Sequence, residues 1–130
     1  MGTPKNFKEA LYWSWYAHLN GHETALDKVT QVYEFITEDL RNDVANQIIE
    51  ELIEAANSGD QMSAFKLGQT YTELLVTPDY QSAYVWLSIA QAYGLEEPSK
   101  LLKETAKQLT LEDILVQQNE AADKFLKINP

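Results

Sequence analysis

Apolar positions along this chain recur at helical rather than strand-like spacing. Ala10, Trp13 and Ala17 stand at i, i+3 and i+7 in a run that begins at Asn6 and stops at Gly21, forming one stripe of an α-helix. Ala83, Trp86 and Ala90 repeat that stripe in a run from Asp79 to Gly94. Gly21 and Gly94 suit the left-handed position just past a helix end, which other residues enter with strain. Helix starts are marked by Thr37 and by Thr110-Leu111-Glu112-Asp113, a capping box with Asp in place of Glu. Ser58-Gly59-Asp60-Gln61 matches a capping box at its ends, and Thr77-Pro78 reads as an N-cap followed by proline. These signals predict an all-α fold of about seven helices, over roughly 5–20, 23–35, 38–57, 60–74, 78–93, 96–108 and 111–127. Leu74-Leu75-Val76-Thr77 is too short for a strand and runs into a proline.

The two stripes belong to an internal repeat. At an offset of 73 residues and without a gap, Ala10 falls on Ala83, Trp13 on Trp86, Ala17 on Ala90 and Gly21 on Gly94. The register continues through Glu23 and Glu96, Thr37 and Thr110, and Asn46 and Asn119. The small residues let a neighbouring helix approach while the tryptophan fills the space between them. The expected core therefore includes Ala10, Trp13, Ala17, Ala64, Leu67, Ala83, Trp86 and Ala90.

From Ala55 onward the chain resembles a Sel1-like repeat, a relative of the tetratricopeptide repeat. Gly59 through Tyr71, ending in Leu67-Gly68-Gln69-Thr70-Tyr71, is similar to that family's first helix, and Asp79 through Gly94 to its second. Leu109-Thr110-Leu111-Glu112-Asp113-Ile114 is similar to the helix that often closes such arrays. The resemblance implies a short stack of antiparallel helix pairs, with a divergent half at 6–52 and a Sel1-like repeat with closing helix at 55–125. It also implies a scaffold or adaptor role and a bacterial origin. Two departures stand out: the loop from Glu73 to Pro78 lacks glycine, and no first helix precedes Phe7.

Composition narrows the function. With 130 residues, 45% hydrophobic and 23% charged, the chain reads as one globular domain. Five Gly and four Pro are too few for a β-sandwich with its frequent turns. The absence of Cys excludes disulfides, cysteine-ligated zinc and thiol catalysis. A net charge of −10 argues against nucleic acid. No apolar stretch approaches the ~20 residues of a membrane span. Met1 to Asn6 lacks a signal peptide's apolar core and fails the myristoylation pattern. A soluble, cytoplasmic protein is expected, or a periplasmic or secreted one if a signal segment precedes it.

Candidate chemistry is sparse. His18 and His22 have the spacing of a helical zinc pair, but Gly21 ends the helix between them, and no metal is expected. Glu50, Glu51 and Glu54 lie in an acidic run of eight carboxylates between Glu34 and Asp60, against Arg41 alone. That run reads either as a solvated face or as a surface that steers a basic partner. Tyr12-Trp13-Ser14-Trp15-Tyr16 is the densest aromatic stretch. Helical spacing assigns Trp13 to the core and points Trp15 the other way. Tyr12, Trp15 and Tyr16 are then either covered by neighbouring helices or anchors for a partner. With no phosphate loop, nucleophile elbow or catalytic triad, the expectation is a non-enzymatic protein–protein interaction module without cofactor. Its partner would be a protein or peptide, for instance one lying in the groove between 60–74 and 78–93. Two alternatives are a homodimer sealed by Phe7, Tyr12, Trp15 and Tyr16, and an acidic inhibitor of a basic partner.

Overall fold

The computed structural model describes residues 4–130, and several of its helices begin or end at a chemical signal in the sequence. The elements are α1 (Pro4–Leu19), α2 (Ala25–Tyr33), α3 (Glu38–Asn57), α4 (Gln61–Gln69), α5 (Tyr80–Ala92), α6 (Pro98–Ala106) and α7 (Leu111–Ile128). α4 runs on into a π-helical turn, Thr70–Leu74. The described residues therefore form an all-α fold of seven helices, none long and apolar enough to cross a membrane. Residues 1–3, on which the reading of the amino terminus bears, lie outside the described residues.

The 73-residue repeat is preserved in backbone detail. α2 and α6 begin and end at positions 73 apart, and α1 and α5 end at positions 73 apart. Gly21 and Gly94 both adopt φ 90°. Each is followed by the same helix-closing hydrogen bond, His22 N–H to the Ala17 carbonyl at 3.0 Å and Leu95 N–H to the Ala90 carbonyl at 3.4 Å. Thr37 and Thr110 share φ −73° and ψ 161°, and each hydroxyl accepts a hydrogen bond from the N–H three residues on. Thr110 and Asp113 complete the expected capping box.

Two other start signals work differently from the expectation. Ser58 is the C-cap of α3, its hydroxyl donating back to the Glu54 carbonyl at 3.0 Å, and the N-cap of α4 is Asp60, two residues further on. Asp79, not Thr77, caps α5; its carboxylate accepts from the Ser82 N–H at 3.0 Å and the Ser82 hydroxyl at 2.7 Å. An ionised carboxylate receiving two donors outcompetes a lone threonine hydroxyl.

Packing follows the repeat. α1 packs against α2 and α3, and α5 packs in the same way against α6 and α7. α4 joins these two three-helix units, touching α3 of the first and α5 of the second. Its approach to α5 depends on Gly68, because a Cβ at that position would lie 2.2 Å from Leu87 Cδ2. The glycine-free loop after the π-turn is tied to α3. Arg41 Nε donates to the Leu74 carbonyl at 2.8 Å, and the Val76 N–H donates to Asn42 Oδ1 at 3.0 Å. Arg41 also stacks over the Tyr33 ring, 3.9 Å from its centroid.

The core comprises Leu11, Trp15, Leu19, Val29, Ile48, Leu52, Leu67, Leu74, Trp86, Ile89 and their neighbours. Ala64, Leu67, Ala83, Trp86 and Ala90 are buried as expected. In α1 the expectation is inverted: Trp13 is 67% exposed, Trp15 is 0% exposed, and Ala10 and Ala17 are only half-buried. The cause lies in what surrounds the repeated stripe. α4 lies against α5, whereas no described helix precedes α1 to cover the matching side.

Candidate functional site

α1 carries its aromatic residues on several faces, and the structure gives each a separate role. Trp15 is locked inside. Its indole Nε1–H donates to Thr70 Oγ1 at 3.0 Å, and the Thr70 hydroxyl donates in turn to the Lys66 carbonyl at 2.8 Å. Both residues are fully buried, so this chain pins α1 to the junction of α4 and the π-turn. Trp15 is thereby removed from the surface anchors expected from sequence.

Tyr12 and Tyr16 meet Glu51 of α3. Both phenols donate to Glu51 Oε1, at 2.7 and 2.8 Å, while Gln47 Nε2 stands 3.4 Å from Oε2. The Tyr12 pKa is raised by its hydrogen bond to Glu51 and then by burial. That of Tyr16 is raised by burial first and then by the same carboxylate. Both rings are therefore neutral donors that clasp α1 to α3, rather than nucleophiles. Glu50 and Glu54 stay exposed on α3, apart from this cluster. The structure thus brings Tyr12, Tyr16 and Glu51 together and leaves Glu50, Glu54 and Trp15 elsewhere.

His18 and His22 do not converge. His18 lies against the Trp15 ring, 5.0 Å between centroids, with its Nε2 3.8 Å from Glu73 Oε2, whereas His22 is exposed beyond the helix end. Burial raises the Glu73 pKa, and His18 opposes that shift.

The residue that sequence reasoning misplaced, Trp13, stands at the centre of an open groove. Lys8, Glu9, Tyr12, Trp13, Val44 and Gln47 line it, and the Tyr12 ring meets Trp13 edge-on at 4.9 Å. Shifting those six by 73 gives Gln81, Ser82, Val85, Trp86, Gln117 and Glu120, all of which line a second groove. There Ile53, Asn57 and Tyr71, from α3 and the π-turn, close the far side, and Trp86 is only 4% exposed. The same groove is thus built twice, walled by a preceding helix pair in the second unit and open in the first.

Comparison with models of protein families, with characterised proteins and with solved structures finds no match to this chain.

Proposed function

We propose that this chain is a non-enzymatic protein-interaction module, of the adaptor kind that its Sel1-like residues suggest, and that the open α1/α3 groove around Trp13 seats the partner. The observation that carries this reading is the contrast between Trp13, 67% exposed, and its counterpart Trp86, 4% exposed beneath neighbouring helices. A large aromatic ring in a concave surface, ringed by polar groups, is the kind of residue that anchors protein interfaces. Lys8, Glu9 and the Trp13 indole N–H supply hydrogen-bonding groups around it.

The test compares affinity capture from extracts of the source cells by the wild-type chain, Trp13→Ala, and Leu26→Ala as an exposed control on α2. The reading expects a protein retained by wild type and Leu26→Ala and lost with Trp13→Ala. Purified, it should bind with the same preference. Identical capture by all three sinks the proposal. A homodimer through α1 is the second reading, with Trp13 in place of Trp15 in the seam. Light scattering would then give a mass near twice 14.8 kDa that falls to one copy in Trp13→Ala.

A further inference from the structure

α7 carries a second uncovered face. Leu111, Leu115, Ala122 and Leu126 fall within about 60° of one another on the helix, at ~100° per residue. Three of them are largely exposed: Leu111 73%, Leu115 54% and Leu126 64%. The Ala122 and Leu126 end of this stripe lines an apolar groove between α5 and α7, together with Ser88, Ile89, Ala92, Ala121 and Phe125.

The fold itself shows what covers such a groove. Six of the positions 73 earlier are Trp15, Tyr16, Leu19, Ile48, Ile49 and Leu52, and these form the α1/α3 seat on which α4 and its π-turn lie. Only Ser58, Gly59 and Asp60 separate α3 from α4, so the covering helix runs antiparallel to α3. Two differences define the occupant of the second seat. Trp15, Leu19, Ile48 and Ile49 are replaced by Ser88, Ala92, Ala121 and Ala122, leaving room for bulkier side chains than the Leu67 of α4 and the Leu74 of the π-turn. The polar clamps Arg41 and Asn42 are replaced by Ile114 and Leu115, so apolar contact does the holding.

Charge selects among partners. Glu112 and Asp123, both exposed, flank the leucine stripe along one edge of α7. A second copy laid antiparallel, with Leu115 over Ala122, would bring Glu112 to within two residues of the Asp123 of that copy along the same edge, a repulsive pairing. We propose that the α5/α7 groove binds an amphipathic α-helix from a different protein, antiparallel to α7. Large apolar side chains on one face of that helix fill the groove, and Lys or Arg along its edge meet Glu112 and Asp123. The proposal rests on the protein-binding reading but uses a face separate from Trp13.

An 18-residue Leu/Lys amphipathic model peptide, titrated calorimetrically into the full chain, provides the test. Saturable one-to-one binding is expected, weakened about tenfold or more by Leu115→Asp and unchanged by Trp13→Ala. Leu115 is half-exposed, so the variant should melt like wild type; Ala122→Glu serves as a second variant. Each substitution adds a carboxylate, so attraction by net charge alone would tighten binding. Equal or tighter binding by both variants, or none by wild type, overturns the proposal. So does a wild-type dimer that Leu115→Asp disperses, since the groove is then filled by a second copy. If Trp13→Ala loses its captured partner while the peptide does not bind, only this proposal fails.

Discussion

Gly68→Ala should destabilise the protein even though it replaces glycine by alanine within a helix. In an open helix that exchange stabilises by about 1 kcal/mol, because glycine loses more backbone freedom on folding. Here the new Cβ would sit 2.2 Å from Leu87 Cδ2 and 2.4 Å from its Cγ. Leu87 is fully buried, so its side chain has little room to rotate away, and either it leaves its packed rotamer or α4 and α5 separate. Overpacking of this kind costs about 1–3 kcal/mol, which offsets the propensity gain and leaves a net destabilisation of up to about 2 kcal/mol. Leu87→Ala alone leaves a cavity and costs about 2–5 kcal/mol. In that background Gly68→Ala meets no clash and should stabilise by about 1 kcal/mol, so the substitution changes sign with its neighbour. Urea denaturation of the four proteins measures the cycle. If Gly68→Ala stabilises the wild-type chain, the close approach of α4 to α5 is wrong.

The two tryptophans of α1 should respond oppositely to truncation. Trp15→Ala removes a fully buried ring bonded to Thr70 and should cost about 3–5 kcal/mol, whereas exposed Trp13→Ala should stay within about 0.5 kcal/mol. Thermal melts separate them, and acrylamide should quench a fluorescence component that vanishes in Trp13→Phe. Thr37→Ala and Thr110→Ala each remove an N-cap acceptor and should cost about 1 kcal/mol in urea denaturation. Stability should also fall at alkaline pH. The pKa of Tyr12 is raised chiefly by Glu51, and those of Tyr16, Tyr33 and Tyr71 chiefly by burial. The folded chain therefore holds protons that the unfolded chain releases from about pH 10 upward, and stability drops as pH rises through that range. Denaturation between about pH 8 and 11 should show a shallower drop for the Tyr12→Phe/Tyr16→Phe double variant; an unchanged slope would refute the role given to the Glu51 cluster.

Local signals carried most of the fold. Gly21, Gly94, Thr37 and Thr110 act through their own backbone and near neighbours, so their roles were readable from sequence. Ser58 and Thr77 were misleading because the cap falls two residues further on, at Asp60 for α4 and at Asp79 for α5. The candidate site was legible only in part. Tyr12, Tyr16 and Glu51 were picked out singly, but nothing in their spacing says that two phenols share one carboxylate oxygen across 35 to 39 residues.

The inversion of Trp13 and Trp15 has a more general cause. A repeated stripe predicts a repeated helix, yet burial is conferred by the neighbours of that helix, and those neighbours are not repeated. Trp86 is buried because α3 and the π-turn wall its groove, and Trp15 is buried where Thr70 of the π-turn meets it. α4 and the π-turn that continues it therefore cover one face of each unit, the Trp15 side of the first and the Gly68-facing Leu87 side of the second. Among the surfaces left open are Trp13 in the first unit and the leucine stripe of α7 in the second. These two faces share no residue. Each would expose apolar surface unless a helix covered it, in a fold whose own joint shows how such a helix sits. Binding at one face should therefore leave the other free, and a single molecule of this chain could hold two partners at once. Saturating the α7 face with the Leu/Lys peptide while Trp13-dependent capture persists would establish that independence, and mutual exclusion would refute it.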